Sequence, residues 1–393
     1  MKLVVFPYHD WRKADIEGHR WRDAHLIDAL AARTDVERIL VVDRPVSLAE
    51  RVRHRSPGFA QGRTVAERRR RAVRARLTAV DERIHVLDVH VPDVLGPIRL
   101  RREWWFRTFA EARVLDAITW AATTSGMDRP RVIAWLPTVA PAVAALQPSG
   151  LVFDSLDNWM IHPGLRRYAA SAAAGYAAML PTASGVAASA PASRDVLLRW
   201  ADHVEVIPNG VDPGTFAGSH ARPRDLPPGA VIGYAGSLAQ RVDSELVAAV
   251  ARDMPEVAFV FIGQLLDPSS IAAMRGIPNI HILGDRHYKE IPAYLAHFDV
   301  AWIPHRVGPG ESGGDPIKLY EYWAAGREVV STRIDGLDVW SDRVHFVADV
   351  PLVTALLRGL LDGTVPAKHA QVPSDRTWDA IADRIVAMFG PAT

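Results

Sequence analysis

Gly314-Asp-Pro-Ile-Lys-Leu-Tyr-Glu-Tyr-Trp-Ala-Ala-Gly326, followed at once by the apolar Glu328-Val-Val330, sets one short helix ahead of one short strand. A proline near the first helical position is pre-organised for helix entry, and Gly326 is a suitable C-terminal cap. The same alternation continues outward from this stretch. Val204–Ile207, Val231–Tyr234, Ala258–Ile262, Ile280–Leu283, Val300–Ile303 and Glu328–Ser331 read as strands of one sheet. Leu3–Phe6, Arg38–Val42, Ile84–Val89, Val132–Trp135 and Gly150–Phe153 read as strands of an earlier, similar one. Short apolar runs separated by helical stretches argue for parallel sheets covered on both faces. The expected class is α/β, with two doubly wound parallel-sheet domains facing a central cleft. Ligands of such sheets bind outside the carboxyl ends of the strands.

Length agrees with two cores, because 393 residues exceed the size at which a single core usually stops growing. A hydrophobic fraction of 49% and a charged fraction of 23% are those of a folded chain rather than a disordered one. The formal charge of +1 gives no global reason to expect nucleic acid as a partner. With no cysteine, disulfides, thiolate zinc sites and cysteine nucleophiles are excluded. Met1-Lys-Leu-Val-Val-Phe6 reads as a first strand and lacks the pattern of a signal peptide, so the expected location is cytoplasmic. No run of 18 or more uncharged apolar residues suggests a spanning helix. Proline and turn residues are dense in Pro208-Asn-Gly-Val-Asp-Pro213 and Arg222-Pro-Arg-Asp-Leu-Pro-Pro-Gly229, which places the hinge there. The expected domains are therefore 1–206, joined by a terminal amphipathic helix within 376–393 (Trp378, Ile381, Ile385, Phe389), and 207–375.

Lys318 falls in the first turn of the helix in the opening stretch, where the dipole favours an anion. Glu321, three residues on, shares its face. A surface Lys–Glu pair is the bland reading, but the chain uses 41 arginines and only 5 lysines, so a lysine beside a glycine-rich loop stands out. Gly314, Asp315, Pro316 and Ile317 form the approach to this turn. A second glycine element, Ile232-Gly-Tyr-Ala-Gly-Ser-Leu-Ala-Gln-Arg-Val-Asp243, lets backbone at Gly236 and Ser237 approach a phosphate, with Arg241 to neutralise it. Gly263 and the loop Leu283-Gly-Asp-Arg-His-Tyr-Lys289, with Arg286 and His287, would wall a nucleotide base. On the N-terminal side, Phe153-Asp-Ser-Leu-Asp-Asn-Trp159 ends a strand with polar groups, of which Asp157 is the catalytic candidate and Asn158 and Trp159 acceptor-side candidates. Tyr8, His9 and Trp11 follow the first strand and are placed on the same acceptor side. Residues 63–107 mix arginines with tryptophans (Arg68-Arg-Arg-Arg71, Leu100-Arg-Arg-Glu-Trp-Trp-Phe-Arg107). They read as basic helical faces that could touch an anionic membrane peripherally.

In that order these motifs resemble the family 4 retaining glycosyltransferases, and within them the teichuronic-acid and exopolysaccharide-type branch. Val206-Ile-Pro-Asn-Gly-Val-Asp212 with Phe216 is similar to the family's interdomain signature, and Ile232-Gly-Tyr-Ala-Gly-Ser237 to its first C-domain strand and glycine loop. Ile291–Pro304 is similar to its strand approach to the site, and Pro316, Lys318 and Glu321 match a P-x-K-x-x-E stretch. The resemblance implies the GT-B fold, two Rossmann-like domains with the last helix crossing back to the first. It further implies that Arg241 and Lys318 contact the donor diphosphate and that Glu321 holds ribose hydroxyls. The family's E-x7-E spacing puts its first acid at Gly313, with Glu311 or Asp315 the nearest replacement; Asp157 stands where many members have a histidine.

The function so implied is retaining, metal-independent transfer of a sugar from a nucleotide-diphosphate donor (UDP, GDP, ADP or dTDP) to a hydroxyl acceptor. That acceptor is a specialised metabolite, a lipid-linked sugar or a surface glycan. Arg241, Lys318 and Asp157 carry the chemistry, with no cofactor, metal or nucleic acid required. A nucleotide-sugar epimerase on the same fold would turn over donor without acceptor. A non-catalytic nucleotide-sugar-binding scaffold would bind donor and leave it intact.

Overall fold

The computed structural model describes residues 1–54, 58–162, 164–308 and 314–390. The chain divides into two compact units, Met1–Ile207 with Ile381–Thr393, and Pro208–Ala380.

In the first unit the strands are β1 (Lys2–Phe6), β2 (Arg38–Val42), β3 (Val46–Ser47), β4 (Arg63–Arg70), β5 (Val73–Ala79), β6 (Ile84–Val91), β7 (Arg131–Ala134), β8 (Gly150–Ser155), β9 (Gly185–Ala188) and β10 (Glu205–Val206). They form one sheet in the order β10-β9-β8-β7-β1-β2-β6-β5-β4, with β3 beside β6. Leu3, Val4, Val5 and Phe6 are all fully buried, as is most of β2 and β6. Burial on both faces is why these strands read as continuous apolar runs. Chain order reverses between β1 and β7, so the carboxyl ends of those two strands flank the switch point where doubly wound sheets bind ligands.

Two expectations are corrected here. The arginines of 63–76 lie on the antiparallel pair β4 and β5, not on a helix. Val73, Ala75 and Leu77 are buried in strict alternation with Arg74 and Arg76, a period of two that the density of arginines hid. The turn is made by Arg71 and Ala72, both at positive φ (49° and 63°), the handedness that matches the twist of a tight hairpin. The strand expected at Val204–Ile207 shortens to β10 and pairs in parallel with β9, so it belongs to the first sheet. Pro208 follows with no backbone N–H, which ends the ladder.

Buried charge ties the carboxyl ends of this sheet to its helices. Arg22, in the helix Arg22–Ala32, donates Nε and Nη2 to both oxygens of Asp154 on β8 at 2.9 and 3.0 Å, and Trp135 Nε1 donates to the same carboxylate at 2.8 Å. Asp154 has no solvent exposure and Arg22 is 3% exposed. Arg12, in the helix Trp11–Glu17, reaches Asp10, Asp43 and Asp88 at 3.0, 3.2 and 3.1 Å.

The second unit holds β11 (Val231–Ala235), β12 (Ala258–Ile262), β13 (Ile280–Gly284), β14 (Val300–Ile303), β15 (Glu328–Ser331) and β16 (His345–Phe346). All pair in parallel in the order β13-β12-β11-β14-β15-β16, so its switch point lies between β11 and β14. Asp243 caps the helix Ser244–Asp253 by accepting from Leu246 N, and that helix packs Leu246, Val247 and Val250 on the sheet. The last helix, Trp378–Ala387, begins in this unit and from Ile381 counts with the first. There Arg384 donates to Glu205 at 2.6 and 3.0 Å and to the Val206 carbonyl at 2.9 Å, while Ile381, Ala382 and Ile385 are fully buried.

Candidate functional site

At the switch point of the second unit, two glycines bring backbone against side chain. β11 ends at Ala235, and Gly236 follows at φ +150°, a conformation L side chains rarely adopt. A Cβ on Gly236 would sit 2.6 Å from Cε and 2.7 Å from Nζ of Lys318, so only glycine admits the ammonium there. Gly263, after β12, is likewise at φ +143°, and a Cβ on it would meet the Gly236 carbonyl oxygen at 2.2 Å. The ends of two strands and one lysine are thus packed at backbone contact. Ser237 is exposed at the mouth of this turn.

Lys318 enters from the helix Ile317–Ala324, which Gly314 and Asp315 lead into and whose N-cap is Pro316. It is 9% exposed; its ammonium donates to the Tyr234 hydroxyl at 3.0 Å and lies 4.5 Å from that ring's centroid. The Tyr234 hydroxyl also lies 3.2 Å from His305 Nε2 and 3.3 Å from the Ser237 carbonyl. Burial holds His305 well below the usual imidazole range, with Lys318 and Arg241 adding positive charge beside it, so this histidine is neutral at physiological pH. Arg241 has its carbonyl bound by Arg306 N at 2.7 Å, while its guanidinium is exposed and takes no partner among the described residues. Two cations and the first turn of a helix therefore meet at one strand edge.

Lys318 and Glu321 do not form a surface pair, since Glu321 is 5% exposed. Its carboxylate accepts from Tyr288 Oη at 2.8 Å. The next residue along, Tyr322, accepts the Ala235 N–H at its Oη at 2.8 Å, fixing the end of β11 against the same helix.

Other expected donor-side residues are engaged otherwise. Arg286 donates to Tyr294 Oη at 3.0 Å and to Asp225 at 2.6 Å, so its guanidinium closes a local clamp instead of walling a base. His287 caps the short turn Tyr288–Glu290 in a reciprocal box with Glu290. Asp315 accepts from the Asn209 backbone and from Tyr320 Oη, while its carbonyl accepts from the Asn209 side chain. That carboxylate is therefore committed to joining the Pro208-Asn-Gly segment to the helix and is a poor substitute for the family's first acid. Glu311 and Gly313 lie outside the described residues.

In the first unit Tyr8 and His9 stand at the switch point. Burial, reinforced by the negative charge of nearby Asp157, raises the Tyr8 phenol well above its usual range. His9 Nδ1 lies 2.8 Å from Asp23, its backbone N–H donates to the same carboxylate at 2.7 Å, and its ring stacks on Trp21 at 4.2 Å. Three of the acceptor-side expectations are corrected by burial. Trp11 is 3% exposed and lies edge-on to His19. Asn158 accepts from Met160 N in a local turn and donates to the Ala192 carbonyl, 34 residues on. Trp159 is 3% exposed in the core, edge-on to Tyr8 and Phe106.

The glycosyl transferases group 1 model matches residues 229–362, the stretch that holds every one of the switch-point groups of the second unit. These residues are a glycosyl transferases group 1 domain. TuaH of Bacillus subtilis (strain 168), whose name describes a teichuronic acid biosynthesis glycosyltransferase, is 26% identical over 139 residues, which span 34% of this chain and 35% of TuaH. Across 100% of this chain and 99% of the other, an apo structure of OtsA superposes with a TM-score of 0.66 at 12% identity. HepE of Anabaena, solved with UDP and glucose, superposes over 99% of this chain and 97% of its own with a TM-score of 0.60 at 17% identity. The fold is GT-B, as the resemblance implied.

The residues of the group 1 domain that sequence reading missed are Tyr234, His305 and Tyr288. Tyr234 and Tyr288 lay inside quoted motifs, and His305 directly follows Pro304; their signal was position at a strand end, without a spacing that names a role. Glu321 makes a measurable difference. Burial pushes its carboxyl up to about 7 from 4.5, against the lowering by the Tyr288 hydrogen bond and the Lys318 charge. The folded domain then binds a proton that the unfolded chain has released. The stability this adds is complete below about pH 4.5 and is lost as pH rises through about 7, on the order of 3 kcal/mol. Chemical denaturation of Glu321→Gln across that window is expected to lack this decline; a slope equal to the wild type's would remove Glu321 as its source.

Proposed function

We propose that the chain is a retaining, metal-independent glycosyltransferase that moves a sugar from a nucleotide-diphosphate donor to a hydroxyl acceptor. The observation that carries this reading is the Lys318 ammonium in the first turn of its helix, held against the Gly236 backbone with Arg241 acting on the same edge. A diphosphate there meets a helix N-terminus, two cations and glycine backbone that can approach it closely. These groups stabilise the charge that develops as the nucleotide diphosphate leaves, the task a divalent cation performs elsewhere. Glu321 would take the ribose hydroxyls. Retention rests on the family 4 resemblance, and UDP is the first nucleotide to try because HepE was solved with UDP and with UDP-glucose. On the acceptor side, Asp157 with Tyr8, and His9 with Asp23, would orient the hydroxyl. A specialised metabolite, a lipid-linked sugar or a surface glycan fits this role. No cofactor beyond the donor and no nucleic acid is called for. Among the described residues no helix is long and apolar enough to cross a membrane. We place the chain in the cytoplasm with peripheral contact at the inner face.

A thermal-shift panel of UDP, GDP, ADP and dTDP, without metal and with chelator present, tests the reading. A ligand that binds only the folded state adds about 2.7 kcal/mol at a concentration 100 times its dissociation constant. One nucleotide is expected to raise Tm, and Lys318→Ala to abolish the rise. No shift with any of the four would sink the donor site; a shift that appears only with added divalent cation would sink metal independence.

A further inference from the structure

The first unit carries a surface that the sugar-transfer chemistry does not use. Val94, Leu95 and Ile98, in and before the short helix Gly96–Leu100, are 48%, 57% and 68% exposed. Exposed arginines follow at once: the side chains of Arg99 and Arg101 make no hydrogen bond or ion pair among the described residues. This protrusion is not a loose tail. Asp93 accepts from Gly96 N at 2.8 Å and from Trp104 Nε1 at 2.7 Å, and Trp104 is 2% exposed, so the aliphatic side chains are held outward by a buried anchor.

The β4–β5 hairpin adjoins it. Arg74 on β5 pairs with His90 on β6, which ends at Val91, so the hairpin turn lies beside the start of this protrusion, and Arg113 lines a small cavity with Arg68, Arg70 and Asp116. Asp116, on the helix Ala112–Thr124, offsets Arg68 and Arg70, and Glu67 within the hairpin offsets Arg74 and Arg76. Arg69 and Arg71 remain exposed without an acidic partner among the described residues, and with Arg51, Arg70 and Arg74 they line an open cavity of about 440 Å³. Positive charge on the hairpin and on Arg99 and Arg101 therefore accompanies exposed Leu and Ile at the same end of the sheet.

We propose that this surface docks on an anionic phospholipid bilayer, with Leu95 and Ile98 entering the headgroup boundary and Arg69, Arg71, Arg99 and Arg101 facing lipid phosphates. Charge complementarity selects an anion, and the outward aliphatic side chains select a lipid surface over a soluble polyanion, which would gain nothing from them. The inference specifies the peripheral contact proposed above and does not depend on which sugar is moved. Its failure leaves the donor site untouched, because nucleotide binding is read separately.

The test is co-sedimentation of the full chain with vesicles of phosphatidylcholine alone and with roughly a third phosphatidylglycerol, at low and high salt. Binding is expected only with the anionic lipid, and to weaken as salt rises. Both Arg69→Glu with Arg99→Glu and Leu95→Ser with Ile98→Ser should lower partitioning by about tenfold or more while the nucleotide-induced Tm shift is kept. Equal binding to both vesicle types, or none to either, overturns the proposal. So does loss in the arginine variant with full binding by the serine variant, which would mark an adaptable anion patch instead of a bilayer contact.

Discussion

Lys318→Ala is expected to lower turnover by two or more decades in a protein that still folds. The ammonium sits where both the helix dipole and the glycine loop leave positive potential for a departing diphosphate. Loss of one preorganised donor of this kind costs about 2.7 to 4 kcal/mol of transition-state stabilisation, a factor of about 10² to 10³. The fold survives because Tyr234, relieved of the lysine, still has His305 and the Ser237 carbonyl for its hydroxyl. Lys318→Arg should not restore activity, since the planar guanidinium is bulkier than the ammonium and Gly236 leaves room at van der Waals distance only. Steady-state kinetics with a saturating acceptor would show the fall in kcat/KM for the donor. Turnover near that of the wild type would end the assignment. The titration of His305 gives an independent readout. Lys318 is one of the charges that depress it, so its imidazole pKa should rise in the alanine variant, measurable by NMR.

The largest expected stability effect lies in the first unit. Arg22→Ala leaves the Asp154 carboxylate without its bidentate partner and out of contact with solvent, with only Trp135 Nε1 retained from its described bonds. Breaking a buried ion pair from one side costs about 3 to 5 kcal/mol, because the remaining charge stays buried and uncompensated. For a unit of this size that lowers Tm by on the order of 10 °C. Arg22→Met with Asp154→Leu should cost less than either single change, as replacing both charges removes the desolvation penalty with the attraction. Calorimetry of the three variants decides it; additive losses would mean that the pair is not the cause.

Much of the fold was legible because its strands are buried on both faces. Leu3–Phe6, Arg38–Val42 and Ala258–Ile262 appear in the sequence as apolar runs bounded by turns, and the structure keeps them within a residue or two. Period-two signals fared worse. β4 and β5 were obscured by the density of arginine among their exposed positions, and β9, Gly185–Ala188, is too short and too rich in alanine to announce itself. The candidate site divides in the same way. Lys318, Glu321 and Gly236 could be picked out because a helix start, an i, i+3 spacing and a glycine after a strand are local facts. Arg286, His287 and Asp315 looked equally polar in their loops, yet each is satisfied by groups distant or adjacent that sequence does not rank.

By itself the sequence determined the two alternating α/β patterns, the turn-dense break between them and the helix that carries Lys318, since each depends on neighbours within a few residues. Only the tertiary structure decided that Lys318 reaches Tyr234, 84 residues away, that Tyr234 meets His305 across 71, and that Arg22 neutralises Asp154 across 132. Those meetings follow from sheet order. A crossover that returns the chain beside β11 or β1 brings distant strand ends together, and the cost of burying a charge or hydroxyl unpaired then selects which side chains must answer one another there.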